Sequence, residues 1–151
     1  MENKNENLIT KEWFKTNKWR YFQDTANNTI NKITYFLRKL ESPEYEGDIY
    51  RVSKKVALVA DVETVEELTT TGKEFQEDTV IVFQSRNTPI SRSWPEENGW
   101  ERIVNGDNEF RKCINGVWYE LEYTDFYTDY ILKKDIAMVR TVEELESLLN
   151  L

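Results

Sequence analysis

The stretch EFRKCINGVWYELEY, residues Glu109 to Tyr123, decides the fold class. Two short runs rich in apolar and aromatic residues flank the dipeptide Asn115-Gly116. Both positions of a two-residue hairpin turn require positive φ, which asparagine and glycine adopt more readily than other residues. The stretch is therefore predicted to form a β-hairpin of two antiparallel strands.

Further strands are expected around this hairpin, because short apolar runs alternate there with turn-forming residues. GWERIV (99–104) precedes the hairpin and DYILKKDIAMV (129–139) follows it, which completes a β-meander. Nearer the N-terminus, DIYRVSKKVALVADV (48–62) is predicted to form one bent strand or two short ones. The mostly apolar run DTVIVFQS (78–85) is typical of a central strand.

The N-terminal third has helical features. ITKEWFKTNKWRYFQD (9–24) predicts a short helix that runs into an extended piece. An amphipathic helix is predicted from about Asn28 to Leu40, because the apolar residues fall on one stripe. These residues are spaced three, four and three apart: Ile30, Ile33, Leu37 and Leu40.

The motif TVEEL occurs twice, at Thr64 and at Thr141. A threonine followed three residues later by glutamate predicts a capping box, so each copy is expected to open a helix. The preceding strands also match, which suggests a duplicated strand-helix unit with two equivalent helix N-termini. The alternative is that TVEEL is an efficient helix start that the sequence uses twice.

These elements together predict an α+β fold, in which three to four helices pack on a mostly antiparallel twisted sheet of about five to seven strands. Residues 1–8 are predicted to be a flexible N-terminus, and residues 9–151 a single α+β domain. Aromatic residues make up 13% of the chain, so large rings are expected to close the core.

The composition excludes many kinds of catalytic site. The chain has no histidine and one cysteine, Cys113, so His-based triads, imidazole acid–base catalysis and zinc sites built from histidine or several thiolates are impossible. No glycine-rich phosphate loop occurs. No catalytic residue, metal site or cofactor is therefore predicted. One catalytic device remains open, a pair of carboxylates such as Asp125 and Asp129 in a hydrolase.

A cytoplasmic location is expected, because a single cysteine suits a reducing compartment. No apolar run is long enough to span a membrane, and the first residues lack the apolar core of a secretory signal. No membrane association is therefore predicted. The oligomeric state is left open by the sequence.

The net charge of −8 is unevenly distributed. Residues 1–41 carry eight basic and five acidic residues, whereas the remainder carries 12 basic and 23 acidic residues, a net charge of −11. Because like charges repel, direct nucleic-acid binding is not expected for the acidic body. A protein partner with a basic surface fits this charge better.

The segment YELEYTDFYTDY (119–130) carries four tyrosines and four carboxylates, and no basic residue occurs between Cys113 and Leu132. Its carboxylates are therefore expected to lack local neutralisation and to imitate a row of phosphates, with tyrosines as anchors. The predicted partner-binding residues are Glu120, Glu122, Tyr123, Asp125, Phe126, Tyr127 and Asp129.

The N-terminal segment interleaves cations with aromatic rings, a pattern that suits single-stranded nucleic acid or a nucleotide. The alternative is a helix whose rings pack on the sheet while its lysines face water. The predicted ligand-binding residues of this segment are Lys11, Trp13, Lys15, Lys18, Trp19 and Arg20.

The leading functional hypothesis is a small acidic, non-enzymatic binding protein that acts through the acidic-aromatic segment. In general composition the chain is similar to the small acidic inhibitors that phages and mobile elements direct against host defence or nucleic-acid-handling proteins. The alternative is a nucleotide or single-strand binding module that uses the N-terminal segment. A carboxylate-dependent hydrolase is the third hypothesis.

Overall fold

The computed structural model describes residues 7–40, 49–103, 108–124 and 129–151. Within these ranges, none of the helices is long and apolar enough to cross a membrane. The described residues form four helices: α1 (Lys11–Thr16), α2 (Val62–Thr71), α3 (Trp94–Glu97) and α4 (Val142–Leu149).

Eight strands of the described ranges form one sheet in the order β1-β2-β3-β4-β8-β7-β6-β5. The strands are β1 (Arg20–Phe22), β2 (Thr25–Ile30), β3 (Ile33–Leu40), β4 (Ile49–Val59), β5 (Glu101–Arg102), β6 (Glu109–Ile114), β7 (Val117–Tyr123) and β8 (Tyr130–Val139). The prediction of an α+β protein with a mostly antiparallel sheet is confirmed.

The chain divides into two compact units. Unit 1 consists of residues 1–53 and 136–151, and unit 2 consists of residues 54–135. The core of unit 1 contains Phe14, Trp19 and Leu37 together with Leu145 of α4. The core of unit 2 contains apolar residues of α2 together with buried residues of β6, β7 and β8.

The prediction of a helix from Asn28 to Leu40 is wrong, because these residues form β2, a turn and β3. Asn31 and Lys32 have φ values of 51° and 72°, and Ile30 pairs with Ile33 across this turn. Part of the apolar spacing that predicts a helix also fits a strand. Ile33 and Leu37 lie four residues apart, so they face the same side of β3, and both are buried.

The prediction of a central strand at DTVIVFQS (78–85) is also wrong. Leu58 donates to the carbonyl of Thr79 and accepts from the amide of Ile81, which makes one isolated parallel bridge. Val80 and Val82 are exposed by 62% and 70%. The segment is apolar but mostly exposed, with Ile81 partly buried against the core of unit 2. Its composition alone therefore does not indicate a central strand.

Helix α2 begins at Val62 instead of at the predicted cap Thr64. The extended Asp61 is the N-cap, and its Oδ1 accepts from the amide of Thr64 at 2.8 Å. In α4 the predicted pair is present: Thr141 caps the helix and Glu144 returns to the cap amide. The two TVEEL motifs therefore occupy different positions in their helices.

The true internal repeat is longer and lies in another register. The chain runs through the order helix, four strands, helix twice: α1 to α2, then α3 to α4. The sheet has the same symmetry: β1 to β4 run from one edge to the centre, and β5 to β8 run in the same order from the other edge to the centre. Asp61 therefore corresponds to Thr141, and the equivalence of Thr64 with Thr141 is wrong.

Matching hydrogen bonds at the start of each repeat support this register. The amide of Trp13 donates to Thr10 Oγ1 and that of Trp94 donates to Ser91 Oγ, both at 3.1 Å. Six residues later, the Trp19 and Trp100 amides each donate 2.9 Å bonds to the carbonyls of Phe14 and Pro95. In both repeats an asparagine side chain donates to the carbonyl of the first tryptophan at 2.9 Å.

The ends of the repeats match as well. The amide of Val62 donates to the carbonyl of Thr88, and that of Val142 donates to the carbonyl of Asn7, both at 2.8 Å. In each helix the first-turn glutamate also accepts from this same residue of the segment that crosses the helix N-terminus. Glu63 accepts from Thr88, and Glu143 accepts from the side chain of Asn7. The backbone bonds from Thr88 and Glu63's own amide lower the pKa of Glu63.

The β2–β3 turn gives a test of the corrected structure. Lys32→Gly should increase the free energy of unfolding by about 1 kcal/mol, because a residue other than glycine pays roughly that to adopt positive φ. Urea unfolding followed by circular dichroism measures the change. Lys15→Gly in the exposed face of α1 is the control and should be destabilising by about 1 kcal/mol. Destabilisation by Lys32→Gly would instead support the helix from Asn28 to Leu40.

Candidate functional site

The face of β6, β7 and β8 opposite the core of unit 2 carries a ladder of charges. Register places Arg111 opposite Glu120, and Glu120 opposite Lys133. Arg111 Nη2 bonds Asp135, and its Nε lies 3.6 Å from Glu120 Oε2. The guanidinium also lies over the ring of Trp118, 4.5 Å from its centroid. Arg111 therefore contacts two carboxylates and a ring.

This ladder corrects the prediction that the carboxylates of segment 119–130 lack neutralisation. Glu120 is 3% exposed, so it cannot present its charge to a partner. Glu122 lies 2.6 Å from the Nζ of Lys133. The neutralising cations come from the neighbouring strands, which the local sequence does not indicate.

The remaining described members of the segment lie near its far end. Tyr123 is partly buried, with the Arg92 guanidinium 4.6 Å and the Tyr130 ring 5.3 Å from its ring. Burial raises the pKa of Asp129 and that of Tyr130. Three predicted partner-binding residues lie outside the described ranges: Asp125, Phe126 and Tyr127.

The N-terminal segment separates into buried rings and exposed cations. Trp19 is 4% exposed and Trp13 packs against the core of unit 1, so these rings are largely structural. Tyr21 and Phe22 of β1 belong to the same basic-aromatic segment but are not among the predicted ligand-binding residues, and they are 41% and 72% exposed. The predicted cations are all exposed: Lys11, Lys15, Lys18 and Arg20.

A cavity of about 230 Å³ opens beside this segment in unit 1. Its buried residues are Ile9, Phe14 and Tyr50, and Tyr21 also contributes to its lining. The charged residues of the lining are two lysines and two carboxylates: Lys11, Glu12, Asp24 and Lys39. Of the predicted ligand-binding residues, only Lys11 lines this cavity.

Sequence reasoning also missed the acidic outer faces of two helices in unit 2. Helices α2 and α3 contain five glutamates and no basic residue: Glu63, Glu66, Glu67, Glu96 and Glu97. All five are exposed. On α2 the apolar stripe packs against the core of unit 2 and turns the glutamates outward. On α3, Glu96 also lies 3.1 Å from Arg102. The signal in the sequence is VETVEEL (62–68), which has three glutamates and no basic residue.

Within the described ranges, no three carboxylate or thiol side chains come close enough together to hold a metal ion. The sole cysteine, Cys113, is exposed. Comparisons with protein-family models, with curated proteins and with solved structures found no match to this chain.

The buried part of the ladder gives a second test. Arg111→Met should decrease the free energy of unfolding by about 3 kcal/mol, because the largely buried carboxylates of Glu120 and Asp135 both lose the guanidinium that contacts them. Arg102→Met is the control: Arg102 lies 3.1 Å from Glu96, and both side chains are about half exposed. It should cost less than about 1 kcal/mol. Equal losses in chemical denaturation of the two variants would contradict the structural role of Arg111.

Proposed function

We propose that this protein is a small non-enzymatic binding protein whose partner presents a basic surface. The observation that carries the proposal is the acidic outer face of α2 and α3. Exposed carboxylates on rigid helices attract a cationic surface and orient it during encounter. The buried or paired carboxylates of β7 contribute less, because Glu120 and Glu122 already have cations beside them.

A basic groove that normally holds nucleic acid is the partner surface that fits best. Such grooves are lined by lysine and arginine that neutralise successive phosphates, and a row of carboxylates offers the same charge. A host defence or nucleic-acid-handling protein is the class of partner with such a groove, and occupation of the groove would inhibit it.

Charge reversal on α2 tests the proposal. The probe is a 20-residue poly-lysine peptide, followed by fluorescence anisotropy of the labelled peptide at low and high salt. Glu66→Lys with Glu67→Lys should weaken binding by about tenfold or more at low salt, and the wild-type affinity should fall as salt screens the charges.

A matched control is available on the helices of unit 1, where Glu12→Lys in α1 with Glu146→Lys in α4 changes the net charge by the same amount. These substitutions should weaken binding much less. Equal weakening by both pairs would mean that only net charge matters, and the proposed surface would then be rejected. Absence of salt-dependent binding in the wild type would also reject it.

The alternative, a single-strand or nucleotide binding module, is favoured by one observation. Phe22 is an exposed ring of β1 on the same side of the strand as the exposed cation Arg20, two residues away. Stacking of bases on such rings, with phosphates near the cations, is the usual mode of single-strand binding. The exposed ring of Phe22 would then have the stacking role that the sequence predicts for Trp13 and Trp19.

Phe22→Ala tests this alternative. It should weaken binding of a 12-nucleotide single strand by at least about fivefold, because one stacked base is lost. Val82→Ala, which truncates a similarly exposed apolar residue in unit 2, should leave the affinity unchanged. Anisotropy of a labelled oligonucleotide gives both values. Unchanged affinity in Phe22→Ala would exclude β1 as the stacking surface.

A further inference from the structure

Because of the internal repeat, the residues that line the cavity of unit 1 have counterparts in unit 2. The amide of Lys39 donates to the carbonyl of Asp24 at 2.7 Å, and the amide of Tyr123 donates to the carbonyl of Asn108 at 3.0 Å. Lys39 therefore corresponds to Tyr123, and Asp24 corresponds to Asn108.

Two further lining residues of the cavity, Lys11 and Tyr50, also have counterparts in unit 2. Lys11 follows the cap Thr10, just as Arg92 follows Ser91, and these caps make the matching bonds to Trp13 and Trp94 described above. Tyr50 and Tyr130 are both buried tyrosines in the matching strands β4 and β8, each eleven residues before the cap of the following helix.

In unit 2 this place is filled by a phenol ring. The Tyr123 ring has the Arg92 guanidinium 4.6 Å and the Tyr130 ring 5.3 Å from its centroid. Arg92 Nη2 also donates to Asn108 Oδ1 at 3.1 Å, and the Tyr130 hydroxyl donates to the Ser91 carbonyl at 3.4 Å. A cation and an aromatic ring therefore contact the phenol that closes the site.

In unit 1 the corresponding residues line a cavity of about 230 Å³. Lys39 stands where unit 2 has the Tyr123 ring, and it extends to within 4.0 Å of Asp24. The cation Lys11 and the buried ring of Tyr50 are both present in the lining. The site thus keeps the kinds of group that contact the Tyr123 phenol in unit 2, but it has a lysine instead of a ring at the position of Tyr123.

The size and chemistry of the cavity agree with one ring. A cavity of about 150 Å³ can enclose benzene, so 230 Å³ is sufficient for a phenol and small for a nucleotide. Two lysines and two carboxylates balance in formal charge, which favours a neutral ring over a strong anion. A lysine also attracts the face of an aromatic ring.

We infer that the unit 1 cavity, lined by Lys11, Phe14, Tyr21, Lys39 and Tyr50, binds one neutral phenol ring from outside the chain. The ring comes either from a free phenolic compound or from a tyrosine side chain of a partner. The site is separate from the acidic face of α2 and α3, so either proposal can fail without the other.

The probes are p-cresol, which is the free tyrosine side chain, and tyrosine blocked at both termini. Binding is followed by chemical shifts of the backbone amides of the whole protein, and a saturable response at Lys11 and Tyr50 is expected. The dissociation constant should be on the order of 1 mM, as for a ligand of few atoms. Binding of p-cresol alone indicates a free phenolic ligand, whereas binding of blocked tyrosine indicates a side chain of a partner.

Lys39→Tyr should fill the cavity as Tyr123 does in unit 2 and weaken p-cresol binding by at least about tenfold. Lys39→Met, which keeps the chain length without the ring, is the control and should retain binding within about threefold. Cyclohexanol, of similar size without the aromatic face, should bind at least about fivefold more weakly than p-cresol. Three results would overturn the proposal: no saturation with either probe, equal binding of cyclohexanol, or unchanged affinity in a folded Lys39→Tyr variant.

Discussion

The first amides of α2 and α4 have no acceptor within their own helices, and the fold depends on how the chain satisfies them. In both cases the acceptor is the carbonyl of a segment distant in sequence, Thr88 for α2 and Asn7 for α4. The cap side chain satisfies a second amide, and a first-turn glutamate binds the crossing segment in return. Each of these segments continues into the short helix that contains the first tryptophan of a repeat and then into an edge strand, β1 or β5. The contacts therefore hold the beginning of one repeat against the last helix of the other.

Sequence patterns predicted the elements that local chemistry determines. The strands from Glu109 to Tyr123 follow from alternation and a turn of asparagine and glycine, and α4 follows from a capping box. The segment from Asn28 to Leu40 misled because its apolar spacing fits both periods, and the turn at Asn31-Lys32 lacks glycine. The run at 78–85 misled because apolar content was equated with burial, whereas its backbone bonds only one residue of β4.

The candidate sites were less predictable, because they depend on register between strands. No basic residue lies near Glu120 in sequence, yet Arg111 and Lys133 lie opposite it across the strand pairs. The N-terminal tryptophans have the composition of a stacking surface, but their spacing serves a turn that buries one of them. The cavity joins Lys11 to Lys39 and Tyr50, and a pattern within one segment cannot reveal such an arrangement.

Each hydrophobic core combines the beginning of one repeat with the final helix of the other. Trp19 and Leu37 pack with Leu145 of α4, and Trp100 and Leu121 pack with Val65 of α2. A polypeptide of one repeat would complete its cores only by exchanging helices with a second copy, as a domain-swapped homodimer does. Joining both copies in one chain removes the dependence of such a pairing on protein concentration. It also frees the two halves to diverge, so that one can keep a cavity that the other has closed.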